Sequence, residues 1–272
     1  MDLRKKTKKR YAGEAEPPAA RHHAVNTNRE EDQSMVGNVE LNDATSPNPK
    51  GRPGADAPSL KSRNGPMVVG TWNVRTLFQE GKLENMIQEM EIMKLDILGI
   101  SETHLTDSGQ IKTENHTIIY SGGDAHEHGV GIAMTDRVAR SLMGYWPVNE
   151  RIIMCKLRAK PFNIVVLQVY APTSDYSDEE IEDFYEEINK TLKETKSSDM
   201  VLIMGDFNAK VGDLVMSKSI GKYGLGKTND RGETLIQFCE RNDMSIANTL
   251  FKQPKRHRKV LAMFTETKLT TC

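Results

Sequence analysis

From Met67 onward the chain alternates short aliphatic runs with amphipathic stretches, and nothing else in the sequence limits its fold so sharply. Strands and helices in turn, each with one apolar face, have to bury those faces against one another, which predicts a mixed α/β domain. MVVGTWN reads as a buried strand, and after it Leu83, Met86, Ile87, Met90 and Met93 recur at helical spacing. DILGISET, GVGIAMT and RIIMCKL are further strands, and the β-branched run FNIVVLQVY is the clearest strand in the chain. Ser177-Asp178-Glu179-Glu180 forms a capping box ahead of a helix with Ile181, Phe184, Ile188 and Leu192 on one stripe. MVLIMGDFN returns to a strand. Beyond a glycine-rich loop at Gly221 to Gly226, Asp230 or a neighbour caps a last helix bearing Leu235, Phe238 and Cys239, and MSIANT is one more strand. The sequence has no internal repeat.

Residues 1–66 differ in kind. They hold seven of the eleven prolines and no sustained apolar period, so ordering them would not be offset by burial, and the segment reads as a disordered tail. This tail explains why hydrophobic residues make up only 37% of the chain. Its first ten residues, MDLRKKTKKR, carry six lysines or arginines, a cluster suited to nuclear import or to loose contact with nucleic acid. The formal net charge of -1 excludes a uniformly basic coat but not such local patches. The three cysteines are far apart, which offers no disulfide framework and no cysteine zinc site. With neither a long apolar segment nor an apolar leader, the chain is expected in the nucleus or cytoplasm, not secreted and not at a membrane.

The chemistry-bearing residues stand where strands end. Asn73 closes MVVGTWN, Glu102 follows DILGIS, Tyr170 closes NIVVLQVY, and Asp206 and Asn208 close VLIMGDFN. Loops held by a rigid sheet are where function concentrates. A carboxylate beside an amide oxygen, Glu102 with Asn73, is an all-oxygen environment for a hard divalent ion, Mg²⁺ or alternatively Mn²⁺. Asp206 is then placed to position or deprotonate a water, with Asn208 and Tyr170 donating to phosphate oxygens as charge builds. The reaction class is metal-assisted hydrolysis of a phosphoester, with no small-molecule cofactor. Competing motifs are weaker. His126-Glu127-His128, near His104 and His116, lacks the spacing of a helical zinc site and reads as a solvated loop, and no nucleophile elbow surrounds Ser101.

TWNVR, ISETH, VYAPTSD, GDFNAKVG and NDRGE, in this order, resemble the endonuclease/exonuclease/phosphatase superfamily, which includes DNase I. More narrowly, residues 67 to about 255 resemble the endonuclease domain of RTE-type non-LTR retrotransposons. The resemblance implies a four-layer α/β sandwich with two mixed sheets and Mg²⁺-dependent cleavage of DNA. It makes Glu102 the metal-binding glutamate with Asn73 beside it, and Tyr170 the tyrosine near the scissile phosphate. It makes Asp206 the water-activating aspartate and Asn208 the phosphate-contacting asparagine. Asn229 becomes a polar position near the substrate, so Asn73, Asn208 and Asn229 form the substrate-binding set. Such enzymes continue into an N-Q-I-D-Y strand and an S-D-H turn, whereas this chain reads TLFKQPKRHRKVLAMFTETKLTTC. The expectation is therefore a domain over 67–251 that lacks its C-terminal strands, followed by a basic, divergent tail over 252–272. His257 is not a replacement for the turn histidine. A DNA phosphodiesterase weakened by loss of that His/Asp half-site follows. The alternative is a catalytically inactive, nuclease-derived nuclear binding or scaffold protein.

Overall fold

A computed structural model describes residues 58–60, 67–213, 217–252 and 261–265. The expected disordered tail, apart from 58–60, and the basic run that includes His257, apart from Lys252, lie outside the described residues. In chain order the elements are β1 (Val69–Asn73), α1 (Lys82–Ile92), β2 (Ile97–Ser101), β3 (Ser108–Lys112), β4 (His116–Ser121) and β5 (Val130–Thr135). There follow α2 (Asp136–Ala139), β6 (Leu142–Asn149), β7 (Ile152–Leu157), β8 (Ile164–Tyr170), α3 (Asp178–Lys193) and β9 (Met200–Asp206). The last are α4 (Asp230–Arg241), β10 (Met244–Ile246), α5 (Ala247–Leu250) and β11 (Leu261–Thr265).

Two mixed sheets result. One has the order β1-β2-β5-β4-β3 and the other β10-β11-β9-β8-β7-β6. Each contains one parallel pair, β1 with β2 and β8 with β9, and every other pairing is antiparallel. The period-2 alternation of side chains sorts the core into three layers. Ile97, Ile132 and Met134 of the first sheet meet Ile153, Cys155, Val166 and Met204 of the second in the layer between the sheets. Leu98, Ile100 and Ala133 face the other way, onto Met86 and Met90 of α1. Leu167, Val169, Val201 and Ile203 face Ile181, Phe184 and Ile188 of α3 and Leu235 and Phe238 of α4. The architecture is a four-layer α/β sandwich, helix, sheet, sheet, helices, as the resemblance implied.

Local chemistry sets the helix boundaries. The Ser177 hydroxyl accepts from the Glu180 N–H at 3.3 Å, and the Glu180 carboxylate accepts from the Ser177 N–H at 2.9 Å, a complete capping box. At α4 the cap is Asn229, not Asp230, with its Oδ1 accepting from the Gly232 N–H at 2.9 Å. Met93 falls just past the end of α1 and is half exposed, so it does not belong to the buried stripe.

Two boundary expectations are corrected. Leu60 forms a parallel bridge with Ala159 and packs against the layer between the sheets, so contact with the domain begins before residue 67. At the other end, residues 261–265 are not tail. They form β11, which enters the second sheet between β10 and β9, with Leu261 opposite Gly205 and Phe264 opposite Leu202. Met263 is fully buried, and its sulfur accepts from the Cys239 thiol at 3.0 Å. The segment thus departs from the family's motif while its backbone still fills the place between β10 and β9, with Met263 in the core.

Candidate active site

Both parallel strand pairs end at the same place. Asn73 is the last residue of β1, opposite Ser101, and Tyr170 is the last residue of β8, directly opposite Asp206 at the end of β9. Thr71 and Asn73, Gly99 and Ser101, Gln168 and Tyr170, and Met204 and Asp206 alternate with the residues that face the helices, so they share the space between the sheets. Strict alternation would turn Glu102 outward. Instead Glu102 takes a left-handed backbone, φ 56°, which swings its carboxylate back toward the other sheet. Arg75, Thr76, His104, His128 and Asn208 on the loops at this end also have positive φ. Non-glycine residues in that region cost on the order of 1–3 kcal/mol each and gather where a site requires them.

The four strand-end side chains touch. Asn73 Nδ2 donates to Glu102 Oε1 at 2.7 Å and to Asp206 Oδ2 at 3.3 Å, bridging the two carboxylates across the gap between sheets. The Tyr170 hydroxyl donates to the same Glu102 oxygen at 2.9 Å. Burial first, and then the bond to Glu102, raise the Tyr170 pKa above its ordinary value, with Arg151 opposing, so the phenol stays a donor at neutral pH. Asn208 follows Asp206 in a tight turn, where its N–H donates to Asp206 Oδ1 at 3.1 Å and its Nδ2 to the Ala171 carbonyl at 2.7 Å. One amide hydrogen of Asn208 therefore remains for a ligand. Asn229 lines the same cavity as Asp206 and Asn208, but its Oδ1 is committed to the Lys210 and Gly232 N–H groups.

A hard divalent ion fits these donors in part. Glu102 Oε2 accepts no hydrogen bond from any described residue, which leaves one carboxylate oxygen for coordination. Asn73 is placed differently from the expected ligand pair: its Oδ1 accepts from the Arg75 N–H at 3.2 Å and its Nδ2 faces the carboxylates. Among the described residues no three His, Cys, Asp or Glu gather into a metal cage. Mg²⁺ needs no such cage, since it binds through one or two carboxylates and keeps most of its waters.

Gln168 and Arg151, which the sequence did not single out, and His128, which it read as part of a solvated loop, complete the site. Gln168, fully buried, donates from Nε2 to the Ser101 hydroxyl at 2.9 Å and accepts from the Thr71 hydroxyl at 3.4 Å. This polar ladder ties the sheets together directly beneath Glu102 and Tyr170. Arg151 places its guanidinium 5.4 Å from the Tyr170 ring centroid and 4.9 Å from that of Tyr176. Its Nη2 lies 3.2 Å from His128 Nε2. Burial and then the Arg151 cation lower the His128 pKa, keeping the imidazole neutral and able to accept that bond. His128 is therefore part of the packing around Tyr170, whereas His126 lies on the surface, its ring centroid 4.2 Å from that of Phe78. A glutamine inside a β-branched run is the one available signal for Gln168; Arg151 has none, and the His126-Glu127-His128 run does not tell its packed histidine from its exposed one.

Known proteins resemble this chain in sequence and in fold. Residues 164–261 match the family described as endonuclease-reverse transcriptase. Craniofacial development protein 2 from Tragulus javanicus is 40% identical over 212 residues, and that from Bos taurus 42% identical over 189. Those alignments cover 76% and 69% of this chain but 37% and 32% of the relatives, so the chain spans about a third of the length of the curated relatives it matches. Among solved structures, the endonuclease domain of TRAS1, a telomere-specific non-LTR retrotransposon, aligns with a TM-score of 0.52 at 17% identity, covering 74% of this chain and 86% of its own. The AP endonuclease LMAP from Leishmania major gives 0.51 at 14%, covering 72% and 78%. At such identities the structural likeness speaks for the fold alone. By its sequence the chain belongs to the endonuclease-reverse transcriptase family of the endonuclease/exonuclease/phosphatase superfamily.

Proposed function

We propose that the protein is a Mg²⁺-dependent phosphodiesterase that cleaves DNA, acting within the cell, in the nucleus or cytoplasm. The observation that carries this reading is the convergence of Glu102, Asn73, Tyr170 and Asp206 at the common end of the two parallel strand pairs. A hard divalent ion, Mg²⁺ or Mn²⁺, supplies Lewis-acid stabilisation of charge on the phosphate oxygens when bound. Glu102 would hold that ion, and Asn73 and Tyr170 fix the carboxylate by occupying Oε1. Asp206, oriented by Asn73 and the Asn208 N–H, accepts a proton from the attacking water. The remaining amide hydrogen of Asn208 donates to a phosphate oxygen where negative charge develops. Among the described residues no helix is long and apolar enough to cross a membrane.

Nicking of supercoiled plasmid in Mg²⁺ tests the reading. A Glu102→Gln variant is expected to lose metal-dependent nicking, because the amide removes the only charged ligand assigned to the ion. Parental activity in that variant overturns the assignment. A parent chain that binds DNA but does not nick it in Mg²⁺ or Mn²⁺ instead favours the nuclease-derived binding protein.

A further inference from the structure

Ser177 stands exposed at the N-cap of α3, and Asp178, Glu179 and Glu180 follow it in the first helical turn. No other serine or threonine of the chain precedes three acidic residues in a row. Carboxylates directly after an exposed hydroxyl suit the cationic substrate cleft of an acid-directed protein kinase, by charge complementarity. The end of a helix is also the part that opens most readily to such a cleft. Two guanidinium groups flank this helix end. Arg231 of α4 donates from Nη1 to Asp178 Oδ1 and from Nη2 to the Tyr176 carbonyl, both at 2.8 Å, so it is already committed. Arg151 is not: its Cζ lies 4.9 Å from the Tyr176 ring centroid, and no ion pair among the described residues includes it. Bonds from the Ser177 N–H and hydroxyl, and after them the Arg151 charge, hold the Glu180 carboxyl below its usual range, so the field of the guanidinium reaches the cap. Arg151, Tyr176, Glu180 and His128 also line one open cavity.

We propose that Ser177 is a phosphorylation site and that its phosphate draws Arg151 away from Tyr170 and His128. In the transfer, Ser177 Oγ attacks the γ-phosphorus of a nucleoside triphosphate held by the kinase. The Oγ–P bond forms as the bond from that phosphorus to the β–γ bridging oxygen breaks, the nucleoside diphosphate leaves, and the hydroxyl proton passes to the base of the kinase. The product carries a charge of about -1.5 to -2 at neutral pH. It has also lost the O–H that donates to Glu180 Oε2 at 2.8 Å, so like charge drives the Glu180 carboxylate out of the capping box. Bidentate, charge-assisted bonds from a guanidinium to a phosphate are stronger than the two ring contacts and the bond to a neutral imidazole that hold Arg151 in the unmodified chain. Arg151 Nη1 also donates to the Tyr170 carbonyl at 3.4 Å, so modification removes a support from a site residue. The inference concerns the rim of the site and stands without the phosphodiesterase reading.

Two measurements test it, neither of which involves cleavage of DNA. The full chain is incubated with the acid-directed casein kinase 2 and ATP labelled on its γ-phosphate, and the label is mapped by mass spectrometry. Label is expected at Ser177 and is expected to be absent from that position in Ser177→Asn, a variant that keeps a good N-cap. A parent chain left unlabelled at Ser177 overturns the proposal. The second measurement is the NMR titration of His128, whose pKa the Arg151 cation helps to lower. In the phosphorylated chain its midpoint is expected to rise, and in Arg151→Gln phosphorylation is expected to leave it where it was, with urea midpoints confirming that both variants fold. An unchanged midpoint in the phosphorylated parent overturns the proposal, as does an equal rise in Arg151→Gln, which would be the field of the phosphate acting without Arg151.

Discussion

Replacing Gly99 with alanine perturbs the contact that holds the two sheets in register beneath the site. An added Cβ would lie 1.9 Å from Gln168 Oε1, 2.7 Å from its Cδ and 2.8 Å from Met204 Cε. Gln168 is fully buried and has no route to solvent, so it must move within the layer between the sheets and give up its 2.9 Å bond to the Ser101 hydroxyl. Overpacking a core by one methyl costs about 1–3 kcal/mol. A buried amide left without its partner costs about 1–3 kcal/mol more. The sum, roughly 2–6 kcal/mol, is a large share of the 5–15 kcal/mol typical of a domain. Urea unfolding of Gly99→Ala, Gln168→Ala and the double variant gives the coupling directly. Because removing Gln168 also removes the clash with its amide and leaves room for the flexible end of Met204 to shift, the double variant is expected to be about 2 kcal/mol or more less destabilised than the two singles added together. Additive effects, or a Gly99→Ala cost below about 0.5 kcal/mol, the scale of a surface change, would refute the reasoning.

Two further outcomes follow from the same structure. Met263→Ala is expected to cost about 2–5 kcal/mol in urea, the range for truncating a buried side chain, whereas a residue in a tail would show almost no change. The His128 pKa is lowered from 6.5, so the folded chain binds fewer protons there than the unfolded chain does. Its contribution to stability is complete above pH 6.5 and is lost as pH falls through the lower folded value. His128→Gln should therefore flatten the acid limb of a urea-midpoint profile, and an unchanged slope would show that His128 does not produce it.

Much of the fold is written locally and the rest is not. The elements from α1 and β2 through β8 and α3 that carry strong apolar periods are readable because each residue's partner face is implied by its own spacing. β3, SGQIK, has no such pattern and exists because β4 pairs with it along its whole length. β6 contains Pro147 and two register shifts, features that fit the edge it occupies but erase the alternation that would announce it. β11 was hidden by a departure from the family's motif, although its hydrophobic run was in plain view. At the site, Asn73, Glu102, Tyr170 and Asp206 were legible as polar residues that end apolar strands. Gln168 and Arg151 were not, because their roles depend on how closely two sheets approach and on Tyr176 packing against a guanidinium 25 positions earlier in the chain.

The central claim is that Asp206 takes a proton from water while Glu102 holds a divalent ion at a DNA phosphate. Single-turnover cleavage of an end-labelled duplex by the parent chain and by Asp206→Asn, with DNA affinity measured in parallel, addresses it most directly. The account predicts parental cleavage that disappears in EDTA and returns with Mg²⁺. It also predicts a rate in Asp206→Asn lower by about 10²- to 10⁴-fold, the usual contribution of one proton-transfer group, with affinity for DNA retained. Cleavage that persists in EDTA, or an Asp206→Asn variant that cleaves at the parental rate, would contradict it.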